Sequence, residues 1–224
     1  ARRATFDKLQ TYYVMRHAFD SRDPQDLRTD DIIGATEGMR ASEKLEMTLA
    51  FLPRLVSGHR DYVHIRKIAV NCVQSGRDRQ KVLEAAMRLL NRQALYLFDI
   101  VPLAQCIGKT NVELEFIAER LDKIANLDLQ MVRLIAREVG SGFESGATCD
   151  FIQAGLTELG NPKMTTREFL RLVSFTKKSS QRELILNNLE YVTDLSTENI
   201  DLICDEVSDE YNRNSVREAA EALL

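Results

Sequence analysis

Residues 195–207 read LSTENIDLICDEV, and residues 127–139, which begin 68 positions earlier, read LDLQMVRLIAREV. The two stretches place large apolar, small and polar residues at the same positions. Extending the comparison along the chain finds six such copies, with spacings of 33, 35, 32, 37 and 31 residues. The copies begin at Leu27, Arg60, Leu95, Leu127, Met164 and Leu195. A period of about 34 residues predicts one structural unit that is repeated along the chain.

Within each copy the apolar residues follow the period of an α-helix. The sixth and ninth positions are apolar and lie on one helical face, and the tenth never holds a large side chain, so a neighbouring helix can approach closely there. The sixth position holds Ile32, Ile65, Ile100, Val132, Phe169 and Ile200. The ninth holds Ala35, Ile68, Leu103, Ile135, Leu172 and Ile203, and the tenth holds Thr36, Ala69, Ala104, Ala136, Val173 and Cys204. We therefore expect one amphipathic helix to begin each copy.

Cap residues mark where these helices start. Four copies carry a capping side chain at the second position, namely Asp61, Asp128, Thr165 and Ser196. A second helix is expected to follow in each unit, and the candidate caps for these second helices are Ser42, Thr110, Ser180 and Ser215. The second helix in residues 147–160 is expected to be short, because glycines bound it on both sides.

A single helix pair cannot bury its own apolar face, whereas stacked pairs bury a continuous core. The sequence therefore predicts an all-α fold, an α-solenoid of about six antiparallel helix pairs. Residues 1–26 are predicted to form an N-terminal capping helix and loop, and residues 27–224 the solenoid. Because Leu223 and Leu224 end the chain without a polar cap, we expect the solenoid to continue or to stack against another chain.

Composition and charge narrow the classes of function. Charged residues make up 29% of the 224 residues, and no apolar stretch approaches the roughly 20 residues that cross a bilayer, so we expect no membrane partner. The formal net charge of −4 is unusual for a protein that binds nucleic acid through nonspecific phosphate contacts alone. The four cysteines have no metal or redox spacing and are expected to be reduced core residues, as in a cytosolic or organellar protein.

No pattern in the chain predicts catalysis. His59 and His64 are five residues apart, which does not place both on one helical face, and the glycine-rich stretch at 140–146 lacks the Lys-Ser/Thr ending of a phosphate loop. Acidic residues such as Asp201 and Asp205 are expected to form a solvated helix face. We therefore predict a non-enzyme with no catalytic residue, metal site or cofactor.

Clusters of basic residues make binding a stronger prediction than catalysis. They lie around residues 60–67, 77–81 and 177–182. If loops of successive units line one edge, these residues can contact phosphates while Tyr62 stacks on a base. The candidate RNA- or partner-binding residues are Arg60, Tyr62, Arg66, Lys67, Arg77, Arg79, Lys81, Lys177, Lys178 and Arg182. The C-terminal unit is acidic, so the two ends of the chain are expected to attract different partners.

The repeat pattern resembles the helical pairs of organellar RNA-metabolism proteins. Its start, a leucine followed by Ser, Thr or Asp and then a helix, is similar to that of octotricopeptide repeats and of the helical portions of FAST-kinase and RAP-domain proteins, and the likeness covers residues 27–224. The chain departs from those groups in lacking a tryptophan-containing block and a RAP domain. It also looks like divergent armadillo/HEAT-like subunits of protist mitochondrial RNA-editing and ribosome-assembly complexes. The resemblance implies a mitochondrial scaffold that gathers RNA or processing factors.

We thus predict a scaffold or adaptor in a multi-subunit complex of mitochondrial RNA processing or editing, with other protein subunits and RNA as the candidate partners. The cytoplasm is the alternative location. The alternative function is direct binding of single-stranded RNA by the basic inter-helix loops. A third hypothesis is a regulatory helical domain of an enzyme whose catalytic part lies outside this chain.

Overall fold

A computed structural model of the chain describes residues 27–90, 94–140, 146–177 and 180–224. In these ranges the chain forms twelve α-helices, short 3₁₀ turns and no β-strand, which confirms the predicted all-α class. The capping helix predicted within residues 1–26 lies outside the described residues.

The helices belong to two compact units. The first unit, residues 1–93 with 106–108, contains α1 (Thr29–Thr36), α2 (Ala41–Phe51), α3 (Tyr62–Cys72) and α4 (Gly76–Leu90). The second contains α5 (Leu97–Gln105), α6 (Thr110–Ala118), α7 (Leu129–Gly140), α8 (Ala147–Glu158), α9 (Thr166–Val173), α10 (Gln181–Asn188), α11 (Thr197–Asp205) and α12 (Glu210–Glu221).

Within each unit, consecutive helices pair, and first members of neighbouring pairs contact each other, as do second members. In the second unit, α5, α7, α9 and α11 each pack against the next of this series, and α6, α8, α10 and α12 do the same. In the first unit, α1 packs on α3 and α2 packs on α4. We call α1, α3, α5, α7, α9 and α11 the first helices and the others the second helices.

The apolar positions predicted from the repeat form the core. Every residue at the sixth, ninth and tenth positions is at most 3% exposed, and Ile65, Val132 and Ile200 are among them. Each of the four predicted caps of the first helices also accepts a hydrogen bond from the backbone N–H three residues later. The periodic apolar pattern and its cap residues therefore predicted the first helices correctly.

The structure reveals a longer period that joins two copies. Parallel bridge pairs link Leu27 to Leu55, Leu95 to Ile124 and Met164 to Val192, and each bridge follows a 3₁₀ turn that ends the intervening second helix. The first partners of these bridges are 68 and 69 residues apart. The opening leucine or methionine is buried in these copies, whereas Arg60, Leu127 and Leu195 of the other copies are only half-buried. The described chain therefore alternates between two kinds of helix pair.

Of the four predicted caps of the second helices, Ser180 lies directly before its helix, α10, whereas Ser42, Thr110 and Ser215 lie within their helices. Helix α2 starts at Ala41, one residue before Ser42, and α12 starts after Asp209, so that Ser215 lies inside the helix. Lys109 precedes α6, which leaves Thr110 within it, and the side chain of Ser180 makes no capping bond at α10. The prediction of a short helix after Gly146 was wrong, since α8 spans twelve residues.

Candidate interaction surfaces

Two of the ten candidate binding residues are tied to the backbone of their own unit. The guanidinium group of Arg60 donates to the carbonyls of Leu55, at 2.6 Å, and Pro53, at 2.9 Å. Arg79 donates to the carbonyls of Val73, at 3.3 Å, and Cys106, at 2.9 Å. These bonds satisfy carbonyl groups that the ends of helices leave unpaired. Arg60 and Arg79 therefore stabilise the fold, and a phosphate would have to displace those bonds.

Three more of the basic candidates have side-chain partners. The ammonium group of Lys67 lies 2.8 Å from Asp30, and that of Lys81 lies 3.8 Å from Asp78. In the second unit, Arg182 donates to the Ser215 hydroxyl at 3.0 Å. The two lysine pairs are at the surface, where such pairs contribute about 1 kcal/mol or less, so a ligand can replace them.

The remaining candidates differ in their exposure. Tyr62 is only 5% exposed, so its ring offers no face for a base, and the structure does not support the stacking role predicted for it. Arg66 and Arg77 are exposed and make no hydrogen bond or ion pair within the described residues. Lys177 is also exposed, and Lys178 lies outside the described residues.

The histidines of the first unit form a small cluster that joins α1 to α3. Nδ1 of His59 accepts from the Thr29 N–H at 3.2 Å, and its ring lies 4.3 Å from that of His64. His64 is bound through Nδ1 to the Asp61 carboxylate at 2.8 Å. Burial alone would raise the pKa of Asp61, but hydrogen bonds from the His64 N–H and ring hold it below its ordinary value. Because the Thr29 hydroxyl beside His59 is buried, the cluster presents no nucleophile to a substrate and serves to lock the helix start.

The cysteines are core residues, as predicted. Cys72, Cys106, Cys149 and Cys204 are buried and free. Desolvation raises the pKa of the Cys72, Cys149 and Cys204 thiols, which keeps them protonated and weakly nucleophilic. Within the described ranges, no group of three or more His, Cys, Asp or Glu side chains is placed to hold a metal ion.

A groove of about 450 Å³ lies between α6 and α8. Its lining combines the apolar residues Leu114 and Phe151 with Asn111 and the two carboxylates of Glu115 and Asp150.

Charge is distributed very unevenly between the two units. Residues 1–93 contain 17 Lys and Arg against 12 Asp and Glu, whereas residues 94–224 contain 13 against 22. Residues 106–108 are uncharged, so these counts also describe the units. Most of the acidic excess lies at 194–224, which hold 9 acidic residues and 2 arginines. The first unit is therefore net basic, and the C-terminal segment 194–224 is strongly acidic.

The outer faces of α5, α7 and α9 carry residues that sequence analysis did not select. These are the aromatic residues Tyr96, which directly precedes α5, and Phe98 on α5, and the arginines Arg133, Arg137, Arg167 and Arg171 on α7 and α9. The seventh position of the repeat, which holds Arg133, keeps no constant charge from copy to copy. The fourth, eighth and eleventh positions share the face opposite the core, and comparing them would have found Arg137, Arg167 and Arg171.

Comparisons with protein-family models, curated proteins and solved structures find no match to this chain. In the part of the chain that the structure describes, no helix has both the length and the apolar character needed to cross a membrane.

Proposed function

We propose that the helix pairs form an α-solenoid that works as a non-catalytic scaffold or adaptor in a multi-subunit complex. The contacts within each unit support the stacked arrangement, because first helices pack on first helices and second helices on second helices. The resemblance of the repeat to organellar RNA-metabolism proteins leads us to propose mitochondrial RNA processing or editing as the setting. Its partners are then other protein subunits of that complex.

The uneven distribution of charge carries this proposal. A net basic unit and a strongly acidic C-terminal segment attract partners of opposite charge, speed their encounter and disfavour the wrong ones. An adaptor needs this property, because it must hold two different proteins without exchanging them.

The reactive side chains have structural partners, which supports a role without catalysis. The cysteines are buried thiols, and His59 and His64 bind Thr29 and Asp61. The carboxylates of Asp194 and Asp209 accept hydrogen bonds at helix starts, and these bonds, first those from the backbone N–H groups of Thr166 and Asn212, lower their pKa values. Each of these groups has a structural partner, which is consistent with selection for stability.

The alternative of RNA binding through basic loops receives less support. Arg60 and Arg79 are engaged with backbone carbonyls, and Tyr62 is buried. Arg66, Arg77 and Lys177 are the described candidates whose exposure suits a ligand, and the first two lie in a different unit from the third.

The scaffold proposal is tested by purifying the tagged full-length protein from its native cell, with and without RNase, and identifying what is retained. We expect protein subunits in fixed proportion to the tagged chain after RNase treatment. Recovery of the chain alone, or of partners that all depend on RNA, would exclude the scaffold and favour an RNA-binding module. Recovery of an enzyme domain in the same polypeptide would favour the regulatory-domain hypothesis.

A further inference from the structure

We propose that the outer faces of α5, α7 and α9 bind single-stranded nucleic acid, with Tyr96 and Phe98 as a stacking platform and the arginines of α7 and α9 as phosphate contacts. We call this surface the arginine–aromatic face. It goes beyond the scaffold role, because it assigns a ligand class to a specific part of the second unit.

The aromatic pair is the most unusual feature of this face. The rings of Tyr96 and Phe98 are parallel within 9°, with centroids 5.4 Å apart, and the side chains are 47% and 74% exposed. Large apolar groups exposed together usually mark a binding site. Because every nucleobase has an aromatic face, an exposed stacked pair can extend its stack onto a base of any sequence.

The register of the repeat places the arginines on the same side of the molecule. Phe98 and Arg167 both occupy the fourth position of their copies, Arg171 occupies the eighth, and Arg137 the eleventh. Residues at i, i+4 and i+7 share one helical face, and Arg133 at the seventh position lies beside them. Since α5 packs on α7 and α7 on α9, these positions form adjoining rows on one surface.

The arginines are available to a ligand. Arg133 and Arg167 make no hydrogen bond or ion pair within the described residues. Arg137 is bound to its neighbour Glu138, at 2.7 Å, and both side chains are about half exposed. Arg171 is exposed, and its guanidinium group interacts electrostatically with Glu168. Such surface contacts are weak, and a guanidinium group can bind a phosphate with two parallel hydrogen bonds.

The neighbouring helix limits the face on one side. On α11 the fourth and eleventh positions hold Glu198 and Asp205, whose carboxylates repel phosphate, and the seventh holds Asp201, which is paired with Arg217 at 2.6 Å. A strand bound along α5, α7 and α9 therefore ends before α11. The ligand must be single-stranded, because the bases of a duplex are already stacked and paired and cannot reach Tyr96 and Phe98.

Fluorescence anisotropy tests this proposal with the full chain and a labelled oligouridylate of about 12 nucleotides, within the site sizes known for single strands. An oligothymidylate and a duplex of the same length show whether RNA, DNA or any nucleic acid is bound. Titrations run from about 50 mM to about 200 mM salt. The slope of the logarithm of the binding constant against the logarithm of the salt concentration, called the salt slope below, reports the number of phosphate contacts.

We expect Phe98→Ala to weaken single-strand binding about tenfold or more, the range found when a stacking residue is removed. The double variant Arg133→Ala/Arg167→Ala should reduce the salt slope by about 1.4, since each phosphate contact with a single strand contributes about 0.7. Phe98 and Arg167 are exposed, and the half-buried Arg133 makes no hydrogen bond or ion pair within the described residues, so the melting temperature should stay nearly unchanged, which circular dichroism checks.

Two matched variants serve as controls. Tyr211→Ala removes an aromatic ring that is 79% exposed on a second helix, and Arg66→Ala/Arg77→Ala removes two exposed arginines of the first unit. Both should leave affinity and salt slope unchanged. Absence of binding at low salt, equal binding of the duplex, or equal losses in the control and test variants would overturn the proposal. Those results leave the scaffold role standing, because RNase-resistant protein partners test it separately.

Discussion

The Asp194 carboxylate accepts two hydrogen bonds from Thr166, one from the backbone N–H at 2.6 Å and one from the hydroxyl at 2.7 Å. The two residues are 28 positions apart, so this contact joins the start of α9 to the segment that follows α10. In the first unit His59 binds Thr29 in the same way across 30 residues. A carboxylate thus joins the two ends of one helix pair, and an imidazole joins the two ends of another.

We predict that Asp194→Asn lowers the free energy of unfolding by about 1 kcal/mol at neutral pH, because the amide oxygen can accept the same bonds but lacks the charge that makes them roughly twice as strong. The backbone bond from Thr166, followed by the bond from its hydroxyl, lowers the pKa of Asp194 from its ordinary 3.8. A lowered pKa in the folded state means that the stabilisation is present above about pH 4 and is lost as pH falls through the folded-state value. Urea denaturation at neutral pH and below pH 3 measures this difference. The exposed Asp205→Asn should show no such pH dependence, and an equal loss in both variants would contradict the assignment.

The alternation of the two kinds of helix pair predicts different costs for the same substitution. Leu95 is 1% exposed and lies at a bridge, whereas Leu127 at the equivalent position of the next copy is half-buried. Leu95→Ala should destabilise the chain by about 2–5 kcal/mol and Leu127→Ala by less than about 1 kcal/mol. Chemical denaturation of the two variants checks this, and equal costs would mean that the 68-residue period has no energetic basis.

Helices α7 and α8 approach closely because position 155 has no side chain. A Cβ atom on Gly155 would lie 2.8 Å from both methyl carbons of Val132, and the packed helices leave little room for adjustment. Gly155→Ala should therefore destabilise the protein by about 1–3 kcal/mol, and adding Val132→Ala should recover part of that loss. Gly34→Ala is the control, since open space surrounds Gly34 within α1, and it should stabilise by about 0.5–1 kcal/mol. Thermal denaturation shows whether each substitution raises or lowers the stability of the protein.

The arginine–aromatic face should become longer if the acidic residues next to it are replaced. Glu198→Lys/Asp205→Lys places two cations on α11 in the rows that the arginines occupy on α7 and α9, so single-strand affinity and the salt slope should rise, the slope by about 1.4. Glu218→Lys/Glu221→Lys makes the same change in net charge on α12, a second helix. An equal gain from both pairs in anisotropy titrations would mean that bulk charge, and not the face, determines binding.

The first helices could be predicted from the sequence because their signal is local. Apolar residues at helical spacing and a cap such as Thr165 with Glu168 act within one turn, and the structure has both. The starts of the second helices were missed where two caps compete. Asp209 and Asn212 begin α12, and the Ser215–Glu218 pattern then falls inside a helix that has already started.

The features that the sequence did not predict depend on contacts between residues that are distant in the sequence. Leu95 and Leu127 are the same amino acid at the same repeat position, so the alternation appears only when the bridge to Ile124 is known. Arg60 and Arg79 lie in basic stretches that are typical of binding loops. Their hydrogen bonds to carbonyl groups form only when the chain is folded, so the sequence did not predict them. The arginine–aromatic face likewise required knowing which helices are neighbours.

The scaffold role is tested most directly by quantitative mass spectrometry of RNase-treated complexes purified through the tagged chain and two charge-reversal variants. One variant carries Arg66→Glu, Arg77→Glu and Arg88→Glu in the basic unit. The other carries Glu198→Lys, Asp205→Lys and Glu210→Lys in the acidic segment. We predict that each variant loses a different set of protein partners and keeps the set that the other loses. Loss of the same partners from both, or of none from either, would contradict an adaptor that uses oppositely charged surfaces to hold different proteins.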